Sequence, residues 1–115
     1  MEENCVFCKI VKGEIPSTKI YEDEDVLAFE DIEPIAPVHV LVIPKKHLDS
    51  LLELDDKELE SKLLSAVKKV AKIKGIDERG FRVITNIGEE GGQAVKHLHI
   101  HVIGGRKLPT RFPNE

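Results

Sequence analysis

The sequence predicts an α+β domain: an antiparallel sheet of about five strands, with one long amphipathic helix on one face and a short helix at the N-terminus. Three observations carry this. Short runs rich in Val and Ile are broken by Gly, Pro and acidic turns; a single long segment has helical periodicity; and the 115-residue length suits one domain, residues 1–115, around one core.

The elements follow in order. A short helix is predicted from about Cys5 to Lys12, ending before Gly13 and Pro16. Lys19–Glu22 and Val26–Glu30 flank the acidic turn Glu22-Asp23-Glu24-Asp25 and read as a hairpin. A loop punctuated by Pro34 and Pro37 leads into His39-Val40-Leu41-Val42-Ile43, too apolar to be solvated on both faces and so a central strand. Asp55 and Glu58 form a capping box, after which Leu59, Leu63, Val67, Val70 and Ile73 recur at helical spacing until Gly75, giving about five turns. Phe81–Asn86 and His97–Ile103 complete the strands, separated by the Gly-rich segment Gly88–Gln93.

Composition excludes several classes. The chain is 41% hydrophobic and 33% charged, and no apolar run approaches the roughly 20 residues of a membrane span, so no membrane role is expected. Its net charge of -4 argues against a protein that binds nucleic acid by neutralising many phosphates. A mononucleotide partner needs no such basic face. The acidic opening Met1-Glu2-Glu3-Asn4-Cys5 lacks the pattern of a signal peptide, and a cytoplasmic location is expected. In that reducing compartment the two cysteines, Cys5 and Cys8, suit a metal or redox role better than a disulfide.

The five histidines fall in two places, His39 with His47 and the row His97-Leu98-His99-Ile100-His101. On a strand, alternation puts His97, His99 and His101 on one face and Leu98, Ile100 and Val102 on the other. The outer two would stand about 13 Å apart, too far for the whole row to hold one ion. The row must therefore divide its labour. A neutral imidazole carries a free lone pair near pH 7, which suits nucleophilic attack, while its neighbours can donate to phosphate oxygens. The turn Gly91-Gly92-Gln93-Ala94 can aim backbone N–H groups at an anion.

His97-Leu98-His99-Ile100-His101-Val102-Ile103 resembles the signature of the histidine triad (HIT) proteins. Val42-Ile43-Pro44-Lys45-Lys46-His47, Gly91-Gly92-Gln93, Gly104-Gly105-Arg106, Phe7-Cys8-Lys9-Ile10 and Glu14-Ile15-Pro16 resemble its nucleotide-binding, purine nucleoside phosphoramidase-like branch. The resemblance implies that His99 is the nucleophile, that His101 binds the phosphate and helps the leaving group depart, and that His39 supports the triad from the neighbouring strand. Taken alone, His39 also admits the plainer reading of a satisfied core histidine. It also implies that the glycine turn, through Gly92, Gln93 and Ala94, lines the phosphate pocket beside Asn86, that Asp31 binds the ribose hydroxyls, and that Phe29, Ile32, Val6, Phe7 and Ile10 form the slot for a purine. Family members often carry Ser or Thr at the position of Ala94, so leaving-group protonation is where this chain departs from the pattern.

Cys5, Cys8, His47 and His97 make up two thiols and two imidazoles, enough for a tetrahedral zinc if the fold unites them. Zinc would then reserve His97 as a structural ligand. The implied activity is hydrolysis of purine nucleoside 5'-phosphoramidates through a nucleotidyl-histidine, by a homodimer. Two alternatives stay open: a dinucleoside polyphosphate hydrolase or nucleotidyl transferase of the same superfamily, and a zinc-stabilised nucleotide-binding module with little turnover.

Overall fold

The structure is a computed structural model that describes residues 4–110, so the acidic opening at Met1–Glu3 lies outside the described residues. Two helices, α1 (Val6–Val11) and α2 (Lys57–Ile73), pack on a sheet of five strands, β1 (Lys19–Glu22), β2 (Val26–Glu30), β3 (Val38–Pro44), β4 (Arg82–Ile84) and β5 (Ile100–Gly104). The strand order is β1-β2-β3-β5-β4 and every neighbouring pair is antiparallel. The predicted fold class is thus the observed one.

Local chemistry explains most boundaries. The β1–β2 turn is closed by Asp23, whose Oδ1 accepts the N–H groups of Asp25 and Val26, both at 2.8 Å. Helix α2 is capped by Asp56, not Asp55: its carboxylate takes the amides of Glu58 and Leu59, two of the free donors of the first turn. The capping side chain is therefore one residue later than a capping-box spacing suggests. Along α2 the buried residues are Leu59, Leu63, Ala66, Val67, Val70 and Ala71, whereas Ile73 is 56% exposed. Ile73 was expected on the core stripe, but the buried stripe of α2 ends at Val70 and Ala71. A short 3₁₀ turn, Leu51–Glu53, which periodicity did not reveal, links β3 to α2 and is capped by Ser50.

The sheet has two different faces. Val26, Ala28, Val38, Val40, Val42, Leu98, Ile100 and Val102 pack against α2. Leu27, Phe29, Leu41 and Ile43 point the other way, onto Cys5, Phe7, Cys8 and Ile10 of the N-terminal segment. Burying such aliphatic side chains contributes about 1.5–3 kcal/mol each, so the two layers fix which strand faces remain for chemistry. On the α1 side, α1 covers β2 and β3, and the surface of β5 and β4 beside it carries His101.

Candidate active site and metal centre

The histidine row keeps its alternation but not its predicted strand. Ladder pairing begins only at Ile100; His97 lies in a bend, and Leu98 and His99 lead from it into β5. Leu98 and Ile100 still enter the α2 core, and the imidazoles still share the opposite side. Thr85 holds the approach in place, its hydroxyl donating to the His99 carbonyl at 2.8 Å.

Hydrogen bonds assign a tautomer to each ring. His99 Nδ1 lies 2.7 Å from the His97 carbonyl, which can only accept, so the proton is on Nδ1 and the neutral ring keeps its lone pair on Nε2. Every buried side-chain nitrogen or oxygen among the described residues has a partner, and His99 Nε2 has none, so that atom opens to solvent although the residue is only 5% exposed. The ring is clamped edge-on by Phe7, with centroids 5.1 Å apart, and by His101, also at 5.1 Å.

His101 receives the complementary tautomer through His39. The Ile35 amide donates to His39 Nδ1 at 3.2 Å, which puts the His39 proton on Nε2. That N–H donates to His101 Nδ1 at 2.9 Å, leaving the His101 proton on Nε2. Two neighbouring rings thus present opposite functions, a lone pair on His99 and a donor on His101. Burial, and then the nearby rings of His99 and His39, lower the His101 pKa to about 4, so it is neutral at pH 7. His39 is lowered for the same first reason, burial, with Asp31 opposing at 3.3 Å.

Other predicted nucleotide contacts are placed as follows. Asp31, His39, Ile84, Asn86 and His101 line a cavity of 630 Å³. Asp31 Oδ1 accepts the Glu33 amide, and Oδ2 faces His39. Phe7, Phe29 and Ile10 are buried and belong to the core layer, with the two phenyl rings 5.6 Å apart; Val6 is 39% and Ile32 93% exposed. In the glycine loop, the amides of Gly92 and Gln93 are spent on the carbonyls of Glu89 and Gly88. They were expected to face an anion; the turn's own closure takes them, and the next amides, of Ala94 and Val95, are the ones without a partner among the described residues. The side chains of Asn86 and Gln93 brace this loop, Asn86 on the Gly91 carbonyl and Gln93 on those of Asp49 and Val95. Gly91 admits no side chain, since a Cβ there would collide with the Ile87 carbonyl.

The second cluster unites Cys5, Cys8, His47 and His97, whose ligand atoms all lie within 4.8 Å of one another. Cys5 Sγ and His97 Nδ1 are 3.3 Å apart, Cys8 Sγ and His47 Nδ1 3.3 Å, and Cys8 Sγ and His97 Nδ1 3.5 Å. Four ligands around a tetrahedral zinc are separated by about 3.3–3.8 Å, given Zn–N near 2.0 and Zn–S near 2.3 Å. The residues fit. Both imidazoles are also turned the right way: His97 Nε2 donates to the Pro44 carbonyl and His47 Nε2 to Asp49 Oδ1, each at 2.9 Å, which leaves both Nδ1 lone pairs facing the sulfurs. Asp49, Pro44 and Thr85 were not among the residues singled out from sequence. The spacing His47-x-Asp49 was a readable signal for the first; a backbone carbonyl leaves none.

A family model described as the HIT domain matches residues 12–108. The chain belongs to the HIT domain family. A HIT family hydrolase from Clostridium thermocellum has a TM-score of 0.93 at 48% identity, covering 97% of this chain and 99% of that one. A histidine triad protein from Clostridium difficile has a TM-score of 0.91 at 56% identity, covering 96% and 98%. Among curated relatives, a 14 kDa zinc-binding protein of Brassica juncea is 48% identical over 107 residues, 90% of this chain and 94% of the relative. His99 and His101 lie inside the matched HIT segment, as do His47 and His97; Cys5 and Cys8 lie ahead of it.

Proposed function

We propose that this HIT protein hydrolyses purine nucleoside 5'-phosphoramidates through a covalent nucleotidyl-His99. The observation that carries the reading is the opposed pair of tautomers: a lone pair on His99 Nε2 beside an N–H on His101 Nε2. The first suits attack on phosphorus, forming the P–N bond to His99 as the bond to the leaving amine breaks. The second donates a hydrogen bond to oxygens whose charge grows in the transition state, while the departing amine takes its proton from solvent. Water then attacks the same phosphorus, expels His99 Nε2 and yields the nucleoside monophosphate.

His97 serves differently. Its side chain belongs with Cys5, Cys8 and His47 to a zinc site, which supplies structural tethering of the N-terminal segment, and its carbonyl orients His99. The relative named as zinc-binding supports this assignment. Asp31 at the edge of the 630 Å³ cavity suits a ribose, and by the family resemblance Val6, Ile32, Phe7 and Phe29 take the base. One domain, a cytoplasmic location and a homodimer complete the proposal. No helix among the described residues is long and apolar enough to cross a membrane, and the edge strand β4 leaves Val83 47% exposed for a partner copy.

Turnover of adenosine 5'-phosphoramidate against diadenosine triphosphate tests the substrate class. Faster release of ammonia than of nucleotide from the triphosphate, abolished in His99→Ala, is the expected result. Preference for the triphosphate would move the protein to the polyphosphate branch. Binding of AMP without turnover of either would favour the module reading, to which the missing hydroxyl at Ala94 lends itself.

A further inference from the structure

A second cavity, of 470 Å³, opens where β5 runs out, between the segment that follows α2 and the start of β3 at Val38. Four side chains on its wall are cationic, Lys74, Arg79, Arg106 and Lys107, and no acidic residue lines it. That is notable in a chain with 21 acidic and 17 basic residues. Some lysines elsewhere are paired with carboxylates: Lys19 and Lys45 meet Glu22, and Lys62 meets Asp25.

The simplest alternative is that these cations answer the negative end of α2. Lys74 does fill that role, and it is also paired with Glu30 at 2.6 Å. The helix end needs no more help, because the carbonyls of Val70, Ala71 and Lys72 already accept the amides of Lys74, Ile76 and Gly75. Arg79 and Lys107 are exposed and have no side-chain partner among the described residues. The Arg106 guanidinium rests on the carbonyls of Lys107 and Ile35, at 3.0 and 3.2 Å, which orient it and leave its charge uncompensated.

We propose that this cavity binds a small phosphoryl-bearing anion, at a site separate from the triad cleft. Arginine forks match phosphate oxygens, and three uncompensated cations suit a group with two or more negative charges. The volume falls within the range of small-ligand sites, about 300–1,000 Å³. A nucleic acid would need a basic surface running on beyond the cavity, which a net charge of -4 does not provide. The site also touches the catalytic relay: Arg106 donates to the Ile35 carbonyl, and the amide of the same residue donates to His39. The loop between them is packed tightly, since a Cβ at Gly105 would stand 2.9 Å from Pro37.

Titration of the ¹⁵N-labelled protein with pyrophosphate, at constant ionic strength set with chloride, tests the proposal. Saturable shifts are expected at the amides of Gly75, Gly80 and Gly105, distinct from any at Gly91 and Gly92, and equally in His99→Ala. The double variant Arg79→Gln, Lys107→Gln should raise the dissociation constant at that site at least about tenfold, with its spectrum otherwise preserved. Repeating the titration with AMP tells whether a nucleotide or a bare polyphosphate is the better ligand. Shifts confined to Gly91 and Gly92, non-saturating shifts, or unchanged affinity in the double variant would overturn it.

Discussion

Replacing His39 by Phe keeps a ring of similar size in a position that is 4% exposed, and removes both nitrogens of the relay. The Ile35 amide loses its acceptor, but Ile35 is 62% exposed and water can take over. His101 Nδ1, on a half-buried ring, loses its donor. An unsatisfied buried acceptor costs about 1–3 kcal/mol, which for a domain of this size lowers Tm by about 4–12 °C. The effect on catalysis has a ceiling, because His39 acts only through His101: losing one transition-state donor outright costs about 10²–10³ in kcat. His39→Phe is therefore expected to lower kcat about 10- to 100-fold, less than His101→Ala, with nucleotide affinity changed little. The decisive assay is a double-mutant cycle, with steady-state kinetics on adenosine 5'-phosphoramidate. In a His101→Ala background, His39→Phe should cost almost nothing further. Multiplicative losses, or wild-type kcat in the single variant, would refute the relay.

Three further outcomes are expected. His101 and His39 have lowered pKa values in the folded state, so below pH 6.5 the unfolded chain binds protons that the native one refuses, and stability is full above that pH and falls toward about pH 4. The His101 contribution, from 6.5 to about 4, is at most about 3 kcal/mol; urea melts at pH 7 and pH 5 should show the loss, and His101→Phe should flatten it. Purified protein should retain about one zinc per chain by elemental analysis, consistent with one tetrahedral ligand set, and Cys8→Ser should lose it together with several degrees of Tm; metal-free wild type of unchanged Tm would argue against the site. By the family resemblance a hydroxyl at position 94 assists the leaving group, so Ala94→Ser should raise kcat on phosphoramidates with AMP binding unchanged; a fall in kcat would count against the leaving-group argument.

Much of this architecture was legible because periodicity and burial agree. Val38, Val40 and Val42 alternate with His39, Leu41 and Ile43, and both sets are buried because a helix covers each side of β3, which is why the run reads as wholly apolar. The Leu98, Ile100 and Val102 alternation likewise survived although the ladder starts only at Ile100. What stayed hidden was set by backbone groups. The carbonyls of Pro44 and His97 choose which nitrogen of two histidines carries the proton, and the Ile35 amide does so for His39; none of these leaves a side-chain signature. Capping-box spacing picked Asp55, but the adjacent Asp56 offers the same chemistry and is the residue whose carboxylate takes the first-turn amides. The family resemblance put Gln93 and Asn86 at the phosphate pocket; that their side chains also brace the glycine loop, through backbone carbonyls, left no trace in the sequence.

The central claim concerns a single nitrogen. Rapid quenching of the protein with a nucleoside phosphoramidate, followed by proteolysis and mass mapping, should find one nucleotidyl group on the peptide containing His97, His99 and His101, with fragment ions assigning it to His99 and none in His99→Ala. A nucleotidyl group on His101, or rapid turnover by His99→Ala, would contradict the account.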